Sequence, residues 1–194
     1  MMDVLLGIFS AFGLSASAGL NAYIPLLVVA LMAKFTNLIH LDAPWDALTS
    51  WWIIGLLLIL LVIEFFVDKI PVVHHLNDII QTLVRPAAGA IVFAANTHVV
   101  SGISPVAALA MGLLVAGSIH VTKSAVIRPV VGVVSAGTAN VPVSMAEDAT
   151  STAVSVASIM APLLVFLMLI AFVSWAVYYF FLMEKPKKQR SRDD

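Results

Sequence analysis

The chain alternates long apolar runs with short polar stretches, and this alternation restricts it to few kinds of fold. The apolar runs cover residues 4–35, 51–67, 86–95, 105–121, 129–143 and 158–183. A helix needs about 20 apolar residues to cross the hydrocarbon core of a bilayer. Of the 194 residues, 61% are hydrophobic and 11% are charged, which departs from soluble domains. We therefore expect an all-α, polytopic transmembrane helix bundle with about six membrane-embedded segments.

Two of the runs leave the number of crossings open. Segments 86–95 and 129–143 are short for a full crossing, and such segments are typical of broken or re-entrant helices. Four full crossings with two partial ones are the main alternative. In either case we expect a single transmembrane domain at 1–183 and a basic cytoplasmic tail at 184–194.

The distribution of basic residues predicts the orientation. If all six segments cross, one side of the membrane collects every Lys and Arg except Lys34. Basic loops are retained in the cytoplasm, so both termini are predicted to be cytoplasmic. The first run could pass for a signal peptide, but Asp3 lies where a signal peptide carries Lys or Arg. We therefore interpret it as a retained helix.

Two short matches within the chain predict an internal repeat. Arg85-Pro86 and Arg128-Pro129 are each followed by a glycine three residues after the proline. Proline suits the first position of a helix, so Arg85 and Arg128 are expected at helix N-termini, which attract phosphate or carboxylate groups. The alternative is that each arginine anchors its helix among lipid headgroups.

The second match links Asn21 with Asn140, since both follow a Ser-Ala-Gly sequence and precede a proline. Pro25 would clash with the carbonyl of Asn21 in a continuous helix. A broken helix there could expose backbone groups to a substrate. A simple kink packed through small residues is the equal alternative.

Glu64 and Asp68 are the acidic pair of the second apolar run. They are four residues apart and share one helical face. Glu64 lies about one turn inside the run, where a charge is costly unless it is protonated, paired or hydrated. It is therefore our candidate proton-coupling or cation-contacting carboxylate. The alternative is a structural ion pair with Lys69, Arg85 or Lys123.

Several chemistries lack support in the sequence. The chain has no cysteine, and it has no P-loop, nucleophile elbow or dinucleotide fingerprint. The histidines, including His120, are interpreted as solvated side chains near the membrane surface. We expect no enzyme activity, metal, cofactor or nucleic-acid partner, and the oligomeric state is left open.

The overall layout resembles a family of small bacterial integral membrane proteins grouped as domain of unknown function 4126. The resemblance is carried by Ser17–Pro25, Glu64–Lys69 with Pro71, Arg85-Pro86, and Ser135–Asn140. It implies a bacterial inner membrane and supplies no activity or functional residues.

Two functions remain in competition. The first is a small transporter or flippase-like protein for an anionic solute or lipid, whose substrate-binding residues are Asn21, Glu64, Asp68, Arg85, Arg128 and Asn140. The second is a membrane scaffold or partner-binding subunit, suggested by the small residues Ala149, Ala153, Ala157 and Ala161 along one helical stripe. A capping box at Ser144–Glu147 predicts that this helix begins near Met145, and Pro162 is expected to kink it.

Overall fold

The computed structural model describes residues 2–67, 71–97, 103–127, 129–130, 133 and 139–183. At residues 3, 71–76, 78, 126, 140 and 180–183 it describes the backbone alone. The predicted tail at 184–194, residues 131, 132 and 134–138 of segment 129–143, and the candidate residues Asp68 and Arg128 therefore lie outside the described residues.

The described ranges confirm an all-α fold. They hold seven α-helices: α1 (Met2–Leu20), α2 (Tyr23–Phe35), α3 (Trp51–Val67), α4 (Pro71–Thr97), α5 (Pro105–Thr122), α6 (Asn140–Met160) and α7 (Pro162–Met183). A short 3-10 helix at Trp45–Thr49 precedes α3, and a π-helical turn at Lys123–Ile127 extends α5.

Helix α1 lies at the centre of the bundle and packs against α2, α4, α5, α6 and α7. Helices α4 and α5 cross closely at two glycines. A Cβ atom on Gly89 would lie 2.8 Å from the carbonyl oxygen of Gly112, and one on Gly112 would overlap the carbonyl of Gly89. Only glycine permits this approach of two backbones, so these residues fix how α4 and α5 cross.

Among the described residues, three helices are long and apolar enough to cross a membrane. They cover Ile79–Thr97, Pro105–Ala125 and Pro162–Tyr179, while Val4–Leu20, Tyr23–Phe35 and Trp51–Val67 form shorter apolar helices. Only 6% of the Pro162–Tyr179 window is buried, so α7 exposes apolar side chains on nearly all sides. Such exposure is typical of helices that face lipid. The count of six membrane-embedded segments and the internal repeat stay predictions.

The expectation that Arg85 begins a helix is wrong. Helix α4 begins at Pro71 and runs through Pro86 to Thr97, so segment 86–95 is not a short separate helix. A proline inside a helix costs about 3 kcal/mol, and packing overrides this local preference: Gln81, Arg85 and most of the residues from Ala88 to Thr97 are buried against neighbouring helices. Arg85 therefore has no free helix N-terminus beside it.

Two expectations about the last helices also require correction. Helix α6 begins at Asn140, not near Met145, so Ser144 lies inside the helix and does not cap it. The chain does not merely kink at Pro162: α6 ends at Met160, Ala161 adopts a non-helical conformation, and α7 starts afresh.

The interface of α6 with α1 is formed by serines and not by the predicted alanine stripe. Ala149, Ala153 and Ala161 are exposed, whereas Ser151, Ser155 and Ser158 are fully buried. The hydroxyl of Ser17 on α1 lies 2.8 Å from that of Ser151 and 2.7 Å from that of Ser155. Serine is small like alanine but also forms hydrogen bonds between helices, which explains why this face is buried.

Candidate functional site

The chain is broken between α1 and α2 at Asn21, as one of our two interpretations expected. Pro25 has no N–H group to donate to the carbonyl of Asn21, which would weaken a continuous helix. The side chain of Asn21 stabilises the break, because its Oδ1 accepts hydrogen bonds from the backbone N–H groups of Tyr23 at 3.0 Å and Ile24 at 3.1 Å. Asn21 therefore caps the first turn of α2.

Lys123 contacts the C-terminal end of α1, on the other side of this break. Its Nζ atom donates to the carbonyl oxygen of Leu20 at 3.0 Å and lies 2.6 Å from Oε2 of Glu147. The Lys123 side chain is 2% exposed and that of Glu147 is 11% exposed. A cation at the C-terminal end of α1 also matches the helix dipole. The contact joins α1, α5 and α6.

Asn21 reaches α6 as well. Its Nδ2 donates to Oδ1 of Asp148 at 2.9 Å, next to the carboxylate that pairs with Lys123. The broken helix is thus tied to two consecutive acidic residues on α6.

A second buried ion pair joins α3 and α4. Nη2 of Arg85 donates to Oε1 of Glu64 at 3.0 Å, and the two side chains are 1% and 3% exposed. A buried charge is costly without a partner, and the pairing agrees with the structural alternative for Glu64. Arg85, the candidate anion-binding residue, already faces a carboxylate.

His120 on α5 lies beside this ion pair. Its Nδ1 lies 3.4 Å from Nη1 of Arg85, and its Nε2 lies 3.2 Å from Oγ1 of Thr82. Arginine can only donate, so a hydrogen bond between these two side chains requires a neutral imidazole with the proton on Nε2. Protonating His120 would break its contact with Arg85 and place two positive charges side by side.

We call the set of these side chains the ionic layer. It comprises Asn21, Glu64, Arg85, His120, Lys123, Glu147 and Asp148, drawn from α3, α4, α6, the break between α1 and α2, and α5 with its π-helical extension. His120 and Lys123 are three residues apart, about one helical turn, so they link the two ion pairs.

Two buried polar atoms beside the ionic layer lack hydrogen bonds. Within the described residues, neither Nε of Arg85 nor Oε1 of Gln81 has a partner, although both side chains are 1% exposed. Leaving such a group unsatisfied costs about 1–3 kcal/mol. The Tyr23 side chain reaches the same place, where it interacts with Gln81, Glu64 and Arg85.

Of the six predicted site residues, the structure pairs Glu64 with Arg85 and places Asn21 at the break between α1 and α2, beside Asp148. Asn140 starts α6, but its side chain is outside the described part of the structure. The sequence interpretation missed His120, which is 2% exposed and not solvated. It lies on the buried face of α5 with Ala108, Gly112 and Ala116, and this four-residue spacing could have revealed it.

A cavity of about 450 Å³ lies at the opposite end of the bundle. Its described lining is Leu6, Gly7, Ser10, Asn37, Leu38, Ile39, His40, Asn96, Ile159, Met160 and Pro162. Ser10 lies roughly 15 Å from the end of α1 at Leu20, at ~1.5 Å per residue, and Asn96 is similarly distant from Arg85 along α4. The His40 side chain is 91% exposed, so the cavity reaches the surface.

The packed middle of α1 separates the cavity from the ionic layer. Here the hydroxyl of Ser15 donates to the carbonyl of Gly89 at 2.9 Å, and Ser17 meets the serines of α6. The described ranges contain no group of three His, Cys, Asp or Glu side chains placed to hold a metal ion.

Comparison with known proteins places the chain in a family and gives no closer relative. No curated protein and no solved structure matches it. The family model described as "Domain of unknown function (DUF4126)" matches residues 8–181, which is most of the chain. The protein therefore belongs to the DUF4126 family, as its sequence motifs predicted.

Proposed function

We propose that this protein is a small membrane transporter whose ionic layer closes one end of the bundle while the cavity is open at the other end. The observation that carries the proposal is this asymmetry along α1: a 450 Å³ cavity lies near Ser10, and buried ion pairs lie beyond Leu20. Alternating access requires a closed end and an open end that exchange.

The energetics of the ionic layer suit a gate. Buried ion pairs contribute little net stability, because desolvation offsets their attraction. When a gate opens, water solvates the separated charges, so the loss is smaller than in a dry interior. The unsatisfied atoms of Arg85 and Gln81 would also gain water as partners.

The α1–α6 interface suits a sliding contact. The serine hydroxyls can exchange partners, as Ser17 already contacts both the hydroxyl and the backbone carbonyl of Ser151. Gly13 lies against Ser158 so closely that a Cβ atom there would overlap its side chain. Small side chains on both helices leave no large group to obstruct a shift.

Protonation of His120 would couple the opening of this gate to proton binding. Its neutral form accepts from Arg85, and its protonated form cannot. Intramembrane histidines and carboxylates commonly serve as proton relays. Protonation of His120 would therefore weaken the closed layer, which makes proton coupling our proposal for the energy source.

The anionic solute or lipid expected from the sequence stays a prediction. Arg85 already pairs with Glu64, and Arg128 lies outside the described residues. The bacterial inner membrane and the cytoplasmic location of both termini belong to the proposal as well.

The competing function is a membrane scaffold or partner-binding subunit. The observation that favours it is the exposed apolar surface of α7, including Leu164, Leu167 and Trp175, which would suit a partner helix as well as lipid. In a scaffold the ionic layer would hold the helices together in one fixed arrangement.

Cysteine accessibility distinguishes the two functions, because the chain has no native cysteine. Ser17→Cys places a thiol between the cavity and the ionic layer, at a side chain with 0% exposure. A membrane-impermeant methanethiosulfonate reagent is applied to each face of oriented vesicles. Ala30→Cys, also 0% exposed but in the core of α2, is the matched control.

A transporter predicts that Ser17→Cys reacts with reagent from both faces, since each state of the cycle opens one path, while Ala30→Cys stays protected. Protection of Ser17→Cys from both faces, at neutral and acidic pH, would favour the scaffold.

A further inference from the structure

We infer that the 450 Å³ cavity binds a small neutral molecule that has an apolar body and a hydroxyl-type polar group. The inference depends on the proposed function only for the statement that this molecule is the substrate, in place of the anionic solute or lipid expected from the sequence. The inference that such a molecule binds depends only on the residues that line the cavity.

The polar contacts come from Ser10 and Asn96, on two different helices. Nδ2 of Asn96 donates to the carbonyl of Val92 at 2.8 Å, so its Oδ1 is the atom left to accept from a ligand. The side chain of Ser10 makes no hydrogen bond within the described residues, although the residue is only 7% exposed. One acceptor and one hydroxyl therefore line the same cavity, and a ligand hydroxyl can satisfy both.

The charge of the lining argues against an ion. None of the described lining residues is Asp, Glu, Lys or Arg. His40 lies at the exposed mouth, 3.9 Å from Asp42, so the titratable group nearest the cavity already has a carboxylate beside it. An ion moved from water into this lining would lose hydration without gaining a counter-charge. A neutral molecule avoids this penalty.

Apart from Asn37 and His40, the remaining lining is apolar. Leu6, Ile39, Ile159 and Met160 line the cavity, and burying apolar surface against them would contribute about 25 cal/mol per Å². The volume of about 450 Å³ falls within the ~300–1,000 Å³ range of ligand pockets, which combine apolar walls with a few polar groups.

Three probes that share one ring and differ in charge test the inference: benzyl alcohol, benzoate and benzylammonium at neutral pH. The readout is the rate at which an impermeant thiol reagent modifies Leu6→Cys, a thiol in the cavity wall. We expect benzyl alcohol to slow modification by about fivefold with saturation, and the two ions to change it less than about twofold, because the unpaired charge disfavours binding.

Asn96→Leu and Ser10→Ala, each in the Leu6→Cys background, test the polar contacts. Each is expected to raise the benzyl alcohol concentration needed for protection by about tenfold, as expected for a lost hydrogen bond. Ser118→Ala is the matched control, because Ser118 lines a separate apolar cavity, and it should leave protection unchanged.

Protection by benzoate equal to that by benzyl alcohol would overturn the inference and favour an anion. Protection that persists in both Asn96→Leu and Ser10→Ala would also overturn it, because the alcohol would then act through the lipid. If the alcohol protects Leu6→Cys while Ser17→Cys stays inaccessible from both faces, the cavity is a binding site but the protein is not a transporter.

Discussion

Lys123 caps a helix to which it does not belong: its Nζ atom donates to the carbonyl oxygen of Leu20, 3.0 Å away, at the end of α1. The same atom pairs with Glu147 on α6. One ammonium group thus satisfies a helix end and a carboxylate that are far apart in the sequence, and three helices meet there.

This contact predicts the effect of Lys123→Met. The variant keeps the length of the side chain but removes the buried ammonium that pairs with Glu147 and caps α1, which should lower the free energy of unfolding by about 3–5 kcal/mol. The measurement is a denaturant titration in mixed micelles.

Lys34→Met is the control for this substitution. Lys34 donates to the carbonyl of Thr49 and lies over the ring of Trp51 in a more exposed place, so its loss should cost about 1 kcal/mol or less. Equal effects of the two substitutions would contradict the account of Lys123.

The Glu64–Arg85 pair predicts strong coupling between two substitutions. Glu64→Gln leaves the Arg85 guanidinium buried without a counter-charge and should destabilise the protein by about 3–5 kcal/mol. Adding Arg85→Gln removes that charge and should recover most of the loss. A double-mutant cycle measures the interaction, and Asp46→Asn, at an exposed carboxylate, should change little. Additive effects of the two substitutions would show that the pair does not interact.

The crossing of α4 and α5 predicts opposite effects at two glycines. Gly112→Ala puts a Cβ atom against the backbone of Gly89 and should destabilise the protein by about 1–3 kcal/mol or more. Gly55 on α3 has nothing within 4 Å of an added Cβ atom, so Gly55→Ala should stabilise the helix by about 0.5–1 kcal/mol. Thermal unfolding of both variants in the same detergent tests this, and a stable Gly112→Ala variant would mean that the helices cross elsewhere.

Topology is tested by reporter fusions. A reporter at residue 194 and another in the 36–50 loop should report opposite compartments, with residue 194 in the cytoplasm, because all but one of the basic residues are predicted on that side. A reporter at residue 194 that is active outside the cytoplasm would overturn the orientation.

Local rules predicted part of this structure. The break at Asn21 follows from Pro25, four residues later, because a proline ring disturbs the carbonyl one turn before it. The ion pair of Glu64 followed from the cost of a lone charge inside an apolar run. Both arguments need only neighbouring residues or a general penalty, so the sequence could offer the break and the ion pair as interpretations; it left open a kink at Asn21 and the identity of the partner of Glu64.

Other features depend on contacts between distant segments. Pro86 should have begun a helix by local preference, but packing keeps α4 continuous through it. The alanine and serine faces of α6 are equally small, and the partner serine on α1 decides between them. The cap on Leu20 by Lys123 joins residues 103 positions apart, and no local pattern indicates it.

The most direct test of alternating access is to measure distances at both ends of the bundle by double electron–electron resonance in lipid nanodiscs. One spin-label pair, at Ala125 and Met145, spans the ionic layer, and a second, at Leu38 and Met160, spans the cavity. These positions are exposed. We predict two distance populations for each pair, with Glu64→Gln/Arg85→Gln lengthening the first distance and shortening the second. A single population at both ends, unchanged in this variant, would contradict a transporter.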